Sequence, residues 1–317
     1  MNRIVDMHCD TLLEGWRHPE RSIVNGEYMI NLELLKQAGS LCQFFAIWIP
    51  RKEVNNGEDA YGLMKSIYAY YQTVLEQHGN LIQPAYTAED VLKNAGQGKL
   101  SSLLCVEDGV FVEGKMERLH EAYDMGVRLI TLTWNYENSI GFPNSREPEE
   151  HAKGLKPFGL DLVAEMNRLG VIVDVSHLSE GGFWDVVKTS KQPFVASHSC
   201  ARALCDHPRN LTDAQLKALG EAGGVVGVNF YDAFLQEGLE GATYDILRQH
   251  LVYMKDKAGI EALGLGSDFD GIETAGEVKD FGGMPRLLEE LQKDFTDDEI
   301  DRIASRNAMR IMGEVLK

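Results

Sequence analysis

Apolar positions along the chain fall into eight short runs, and most of the stretches between them have the spacing of amphipathic helices. The runs are rich in Val, Ile, Leu and Phe. Most lack the alternation of apolar and polar residues that marks a strand with one solvent-exposed face. Such continuous apolar runs are typical of strands buried on both faces. We therefore predict eight β-strands, at residues 3–7, 41–49, 101–106, 127–133, 171–176, 193–197, 224–230 and 263–267.

Helical patterns occupy six of the longer intervals, at residues 32–39, 58–79, 158–170, 212–224, 243–259 and 296–316. Thr212 or Asp213 is predicted to cap the fourth helix and Thr296 the last. Strands alternating with helices in a chain of 317 residues indicate a TIM-like (β/α)8 barrel, an α/β fold, as one domain over residues 1–317. An open doubly wound sheet is the alternative, but no glycine-rich nucleotide-binding turn follows the first strand.

Five of the strand-like runs end in side chains that can bind a metal ion, namely His8 and Asp10, Glu107, His177, His198, and Asp268 and Asp270. The carboxyl ends of parallel barrel strands meet at one rim, so residues far apart in the sequence can assemble there. The long polar stretch 135–157 is predicted to be a loop at the same rim. Nitrogen and oxygen ligands without thiolate favour Zn²⁺, although Mn²⁺, Co²⁺ or Fe²⁺ would also suit them.

Each of these residues has an ordinary structural explanation when it is taken alone. His8 and Asp10 point to the same side of a strand, but a His-x-Asp pair also occurs by chance. His177 and His198 are separated by one strand–helix–strand unit, which predicts neighbouring positions on the rim. Glu107 can bridge two metal ions through its two oxygens. The recurrence of such residues at five strand ends is what indicates a metal site.

Two aspartates close the last run. Asp268 is suited to bind a metal ion or to carry a proton during catalysis. Asp270 stands directly before Gly271 and is better explained as a turn residue. We therefore take Asp268 as the candidate for chemistry.

Charge and cysteine content exclude some classes of partner. The net charge is −18, from 49 acidic and 31 basic residues, which disfavours binding to nucleic acid or to an anionic membrane. The five cysteines form no CxxC pair, and their odd number favours a reducing compartment. The first residues show no basic-then-apolar leader, and no apolar run approaches the length of a membrane span. We therefore predict a cytoplasmic protein with no membrane partner.

The motifs VDMHCD, CVEDG, DVSHLS, SHSCARALCDHPRN and GLGSDFDG occur in this order over nearly the whole chain. As a set they resemble the renal (membrane) dipeptidase family of zinc peptidases. The resemblance implies a zinc-dependent dipeptidase that cleaves dipeptides with a free C-terminal carboxylate, L-Xaa–D-Xaa included. It also implies two Zn²⁺ ions per chain with a hydroxide between them, a small dipeptide as substrate, and a homodimer.

The resemblance also assigns roles to single residues. It implies that His8 and Asp10 bind one zinc ion, and that His177 and His198 bind the other. Glu107 would bridge the two ions and so take part in catalysis.

Three further roles follow from the same resemblance. Asp268 would handle the proton, Arg209 would hold the substrate carboxylate, and Tyr231 would line the substrate pocket. A guanidinium pairs with a carboxylate through two parallel hydrogen bonds, so arginine suits that task on physical grounds. Without the resemblance a surface ion pair would explain Arg209 equally well, and Arg202 is its nearest competitor.

The chain departs from the family at one position. Animal members carry a histidine after the LT of the fourth strand, where this chain has Trp134. We hypothesise that His151, on the loop that follows, supplies the missing imidazole to the substrate. A surface histidine is the plainer explanation of His151.

The residues leave other functions open. The same metal site would serve an amidohydrolase acting on N-acyl amino acids, lactams or another amide, and dependence on a free α-amine would separate the two. A barrel that has lost catalysis and acts as a binding protein is a further alternative, which the complete ligand set argues against. A phosphoesterase would need more basic residues near the rim than this acidic chain offers.

Overall fold

Nine parallel strands form the centre of the molecule in a computed structural model that describes residues 4–54, 57–273 and 276–317. The strands are Ile4–Asp6 (β1), Ser40–Trp48 (β2), Ile82–Pro84 (β3), Leu100–Glu107 (β4), Val127–Thr131 (β5), Ile172–Asp174 (β6), Val195–Ser199 (β7), Val225–Val228 (β8) and Leu263–Leu265 (β9). The first residue of the predicted strand 3–7 lies outside the described residues.

Eight of these strands close into a barrel. β1 pairs with both β2 and β9, β2 pairs with β4, and β4 to β9 follow one another around the ring. β3 lies beside only the first three residues of β4. The eight predicted strands and the (β/α)8 fold are confirmed, and β3 was not predicted. Only the first of its three residues is buried, so the apolar pattern of the sequence did not reveal it.

Helices surround the barrel: Thr11–Arg17 (α1), Leu32–Ala38 (α2), Gly57–His78 (α3), Ala88–Gly96 (α4), Met116–Asp124 (α5), Pro148–His151 (α6), Pro157–Leu169 (α7), Glu180–Thr189 (α8), Asp213–Glu221 (α9), Asp232–Leu235 (α10), Tyr244–Ala258 (α11), Met284–Leu291 (α12), Asp297–Asp301 (α13) and Asn307–Val315 (α14). A π turn joins α13 to α14, and short 3-10 turns occur at Arg51–Glu53, Gly109–Val112, Ile260–Ala262 and Phe281–Gly283. None of the described helices combines the length and the apolar composition that crossing a membrane requires.

The helix predictions are confirmed with small changes. The hydroxyls of Thr212 and Thr296 each accept a hydrogen bond from the third residue of their helix, so Thr212 rather than Asp213 is the cap. The stretch predicted as a loop at 135–157 contains the one-turn helix α6. The last predicted helix is divided by the π turn.

An apolar cluster closes the amino-terminal end of the barrel. It joins Ile172, Val195 and Val225, the first residues of β6, β7 and β8, to Ile311 and Met312 of α14. Burial of apolar surface is the main favourable contribution to folding, so this end is devoted to stability. The polar residues at the carboxyl ends of the strands lie at the opposite end.

The barrel interior is narrow below this polar rim. A methyl group added to Gly266 would lie 1.8 Å from the carbonyl oxygen of Ser197, and one added to Gly227 would lie 2.1 Å from the same oxygen. Both contacts are with backbone, which cannot move aside cheaply. Glycine is therefore required at both positions, in β8 and directly after β9, so that the backbone of β7 can approach.

We predict that Gly266→Ala lowers the free energy of unfolding by about 1–3 kcal/mol or more, because the new methyl group would overpack the barrel. Gly62→Ala is the matched control, since Gly62 lies within α3 and a methyl group there meets nothing within 4 Å. Removing this helical glycine should raise stability by about 0.5–1 kcal/mol. Chemical denaturation checks both, and equal stability of the two variants would contradict the packing argument.

Candidate functional site

A cavity of about 380 Å³ opens at the carboxyl ends of the barrel strands. Its aromatic wall consists of Trp48, Trp134, Tyr231 and Phe234, and its polar wall of Asp10, Glu107, Asn135, His177, Asp268 and Glu273. Another cavity, of about 440 Å³, lies beside α2 and the first residues of β2 and β4. That cavity is lined mainly by apolar groups and includes none of the metal-ligand clusters formed by the described residues. The cavity at the rim is therefore the candidate functional site.

One cluster of the rim centres on the imidazole of His8. Its Nε2 atom lies 3.6 Å from Asp10 Oδ2, 3.6 Å from Glu107 Oε2 and 3.7 Å from Asp268 Oδ1. All four residues are buried. His8 Nε2 and Asp10 Oδ1 have no hydrogen-bond partner in the described structure. Unpartnered buried polar atoms are costly, so these two atoms indicate a missing ligand.

A second cluster faces the other oxygen of Glu107. Glu107 Oε1 lies 3.0 Å from His177 Nε2 and 3.5 Å from His198 Nε2, and the two nitrogens are 3.1 Å apart. The five ligands predicted from the sequence thus come together as two groups of three that share Glu107. His8, His198 and Asp268 form a further group of the same size.

The spacing of these atoms suits a bound divalent ion. Ligand atoms about 2.0–2.1 Å from a tetrahedral zinc ion lie about 3.3 Å from one another. The contacts of Glu107 with His177 and His198, between 3.0 and 3.5 Å, fall around that separation. Those of His8, at 3.6 Å, are slightly wider. The residues present therefore fit a site for divalent metal, whose identity and number of ions stay predictions.

Burial governs protonation within the cluster. It raises the pKa of Glu107 to about 8 and lowers the pKa of His177 and His198 well below the ordinary value. Burial also lowers the pKa of His8, but the charges of Glu107 and Asp10 outweigh it and leave that pKa well above the ordinary value. A divalent cation would offset the cost of burying the carboxylates in their charged form.

Two buried aspartates, which the sequence analysis did not single out, support the rim from below. Asp6 accepts hydrogen bonds from the backbone and hydroxyl of Ser267 at 2.8 and 2.7 Å. Asp174 accepts the equivalent pair from Ser197 at 2.9 and 2.6 Å. Each serine directly precedes a residue of the site. The sequence offered one signal for them. Each aspartate stands within an apolar strand, and a carboxylate buried there must have hydrogen-bond partners.

Two residues of the site have an uncommon backbone conformation. His177 and Asp268 both have a φ of 65°, in the left-handed region that non-glycine residues rarely adopt. Such strain is kept where the surrounding structure fixes a functional geometry. Gly271 leaves room for the first cluster, since a methyl group on it would lie 2.0 Å from Asp10 Oδ2.

Asp268 and Asp270 have different surroundings. Asp268 lines the cavity, and the side-chain amide of Asn229 donates to its Oδ2 at 2.8 Å. Asp270 accepts hydrogen bonds from Thr11 and from the backbone of Met29, and so ties its own loop to the start of α1 and to the loop before α2. Asn229 also accepts from the backbone of Tyr231, which lines the cavity as expected. Asp268 thus faces the cavity, whereas Asp270 has a structural role.

Arg209 is a buried cation without an acidic partner. Its side chain donates to the carbonyl oxygen of His198 at 3.2 Å and weakly to the hydroxyl of Ser199 at 3.5 Å, while its Nε has no partner. No described residue forms an ion pair with it, although it is only 5% exposed. Arg202, its competitor, faces Glu180 at 3.8 Å. A buried unpaired guanidinium is costly, so Arg209 is suited to an anionic ligand.

The structure does not bring His151 into the cavity. The ring is buried on α6, where Nδ1 accepts a hydrogen bond from the backbone of Ser145 and Nε2 contacts Arg202 at 3.1 Å. Burial and the charge of Arg202 lower its pKa. The hypothesis that His151 contacts substrate therefore gains no support from its position. Trp134 does line the cavity and packs against Trp48, with ring centroids 5.0 Å apart.

We predict that Gly271→Ala weakens metal binding without unfolding the protein. The added methyl group would push aside the carboxylate of Asp10, which is the free end of a side chain. Disturbing the surroundings of a metal ligand costs about 10–100-fold in affinity. Competition with a zinc chelator measures the effect, with Gly62→Ala as control. Unchanged affinity in Gly271→Ala would show that Asp10 does not hold metal at this position.

The comparisons with known proteins agree with one another. The sequence model of the membrane dipeptidase family (peptidase family M19) matches residues 2–317. The dipeptidase tcpJ of Claviceps purpurea (strain 20.1) is 30% identical over 296 residues, which cover 90% of this chain and 69% of that protein.

Solved structures give the same result. The chain superposes on the crystal structure of the dipeptidase AC, a metallo peptidase of family M19, with a TM-score of 0.92 and 27% identity over 99% of both chains. A metallo peptidase from Rhodobacter sphaeroides, liganded with a phosphinate mimic of the dipeptide L-Ala-D-Ala, gives a TM-score of 0.90 and 26% identity over 99% of both chains. The chain therefore belongs to the membrane dipeptidase family, peptidase family M19, and is a metallodipeptidase on a (β/α)8 barrel.

Proposed function

We propose that this chain is a zinc-dependent dipeptidase with two Zn²⁺ ions per chain, acting on dipeptides that have a free C-terminal carboxylate. The observation that carries the proposal is the buried, unpaired guanidinium of Arg209 beside the cluster of metal-ligand residues. Its hydrogen bond to the carbonyl oxygen of His198 ties the cation to a metal-ligand residue. Arg209 is not part of the cavity lining, but a substrate whose peptide carbonyl lies at the cluster would bring its C-terminus towards this residue.

The size of the cavity supports a short substrate. A volume of about 380 Å³ is near the lower end of ligand pockets, which span about 300–1,000 Å³. Charge-assisted pairing of Arg209 with a terminal carboxylate would fix the position of the substrate. Aromatic side chains that line the cavity would accept its apolar parts.

The chain's own residues would supply the remaining chemistry. When bound, divalent ions at the cluster would lower the pKa of the attacking water and polarise the scissile carbonyl. Glu107 would hold both ions through its two oxygens. Asp268 would take the proton of the water and pass it to the leaving amine. The bond from Asn229 occupies Asp268 Oδ2, so the proton would go to Oδ1, the oxygen that faces His8 at 3.7 Å.

The stereochemical part of the proposal includes L-Xaa–D-Xaa dipeptides. Its support is the likeness to the Rhodobacter sphaeroides enzyme, whose ligand mimics L-Ala-D-Ala. A cytoplasmic location, a homodimer and a single domain over residues 1–317 remain predictions from the sequence. Among the described residues the five cysteines are all buried and unpaired, in keeping with a reducing compartment.

An amidohydrolase of N-acyl amino acids is the second candidate. Such substrates also carry a carboxylate that Arg209 could bind. The indole of Trp134 in the cavity wall favours this candidate, because an acyl group is more apolar than a free amine. The need for a free α-amine separates the two functions.

We predict that zinc-loaded protein cleaves free L-Xaa–L-Xaa or L-Xaa–D-Xaa dipeptides, and that chelator-stripped protein does not. Added Zn²⁺ should restore activity, because the ligands are fixed by the fold. N-acetylation of the same dipeptides should abolish cleavage. Cleavage of the acetylated compounds alone would transfer the function to the second candidate, and activity that survives complete metal removal would overturn both.

We predict that Arg209→Met selectively removes recognition of the free carboxylate. Losing one partner of a buried charge pair costs about 2–5 kcal/mol, which is about 30-fold to 4,000-fold in kcat/KM. The loss should be much smaller for dipeptide amides, which have no terminal charge. Arg202→Met is the matched control, because Arg202 faces Glu180 and should leave the preference for free over amidated substrates intact. If Arg209→Met kept the wild-type preference for free over amidated dipeptides, another residue would bind the substrate carboxylate.

A further inference from the structure

The carboxylate of Asp174, at the end of β6, is completely buried and accepts four hydrogen bonds. Its Oδ1 accepts from the backbone amides of Ser176 and Ser197 at 3.0 and 2.9 Å. Its Oδ2 accepts from the hydroxyls of Thr131 and Ser197, both at 2.6 Å. With donors at every contact, Asp174 acts only as an acceptor.

The bond between Ser197 and Asp174 fixes the proton on a metal-ligand imidazole. A serine hydroxyl has one proton, and Ser197 gives its proton to Asp174 Oδ2. The contact of 2.7 Å between Ser197 Oγ and His198 Nδ1 can then be a hydrogen bond only if Nδ1 donates. His198 therefore carries its proton on Nδ1 and leaves a lone pair on Nε2, which faces Glu107.

His177 is held in the same tautomer by a different group. Its Nδ1 lies 2.9 Å from Asn135 Oδ1, and the same oxygen accepts from the side-chain amide of Asn144. Because that oxygen is an acceptor, Nδ1 of His177 must donate. Both imidazoles thus present unprotonated Nε2 atoms to each other and to Glu107.

The other tautomer of His198 would form a hydrogen bond that competes with metal binding. With a proton on Nε2, His198 could donate to His177 Nε2 at 3.1 Å and so form a hydrogen bond between the two rings. That bond would occupy the lone pairs that a metal ion needs. We infer that Asp174 and Ser197 are positioning residues which hold His198 as the Nδ1-protonated tautomer and keep this half of the metal site open.

The inference rests on the proposed function only in taking His198 as a metal ligand. The chain also offers a matched control. Ser267 donates to Asp6 through its hydroxyl and its backbone, as Ser197 does to Asp174. Its hydroxyl contacts the carbonyl oxygen of His8 rather than a ring nitrogen. Ser267→Ala therefore removes a buried serine–aspartate bond without touching a histidine ring.

The decisive variant is Asp174→Asn, which keeps the shape and reverses the direction of the two bonds at Oδ2, those with Thr131 and Ser197. Two backbone amides bind Oδ1, so the amide oxygen of asparagine must occupy that place. The NH2 group then faces Ser197 Oγ and donates to it. The hydroxyl of Ser197 is free to donate to His198 Nδ1, which moves the ring proton to Nε2.

The experiment observes the imidazole nitrogens of metal-free protein by ¹⁵N NMR, with His198 assigned through His198→Gln, and measures zinc affinity by chelator competition. We expect His198 to be protonated on Nδ1 in the wild type and in Ser267→Ala, and on Nε2 in Asp174→Asn. Zinc affinity should fall about 10–100-fold in Asp174→Asn. Ser197→Ala should give a mixture of tautomers and a smaller loss, and Ser197→Thr, which keeps the hydroxyl, should restore the wild-type tautomer.

Protonation of His198 on Nε2 in the wild type would overturn the inference. So would an Asp174→Asn or Ser197→Ala variant in which His198 keeps its proton on Nδ1 and the zinc affinity is unchanged. If Asp174→Asn does not fold, the contrast between Ser197→Ala and Ser197→Thr decides in its place. The tautomer is observed without metal or substrate. Failure to cleave dipeptides would therefore refute the proposed function and leave this result standing.

Discussion

Buried carboxylates and imidazoles are packed together at the rim of this barrel, and the rest of the structure depends on that constraint. The Nε2 atoms of His177 and His198 lie 3.1 Å apart and face the same oxygen of Glu107. The other oxygen of Glu107 faces His8, whose Nε2 has no hydrogen-bond partner in the described structure. In a buried site of low dielectric constant, charged carboxylates and facing imidazole lone pairs are unfavourable unless protons or a metal cation lie among them. A divalent metal ion would supply the positive charge that these buried groups require.

The barrel can hold this arrangement because its two ends have different tasks. Apolar residues packed against α14 stabilise the amino-terminal end, while the carboxyl ends of the strands carry reactive groups and left-handed backbone at His177 and Asp268. Asp6 and Asp174 each tie two neighbouring strand ends together, because Asp6 of β1 binds Ser267 after β9 and Asp174 of β6 binds Ser197 of β7. Rigid support of this kind fixes the spacing of ligands before metal binds.

Much of this could be predicted from the sequence, since buried strands and the reactive residues at their ends leave a clear periodic signal. β3 has too few buried residues to leave one. Asp174 stands within the motif DVSHLS, but its hydroxyl partners Thr131 and Ser197 lie on the two neighbouring strands, which the local pattern does not show. His151 was placed near the substrate from its position on a loop, and the course of that loop depends on tertiary contacts with Arg202 and Ser145. Local pattern thus predicted the fold and the cluster of candidate ligands, and three-dimensional packing determined which neighbours contact them.

The most direct test of the metal centre is anomalous X-ray scattering at the zinc edge from crystals of zinc-loaded protein. Two peaks are expected for each chain, one among His8, Asp10 and Glu107 and the other among Glu107, His177 and His198. Peaks at both places would establish that Glu107 joins two ions. A single peak, or zinc bound away from these residues, would contradict the two-metal centre on which the proposed mechanism rests.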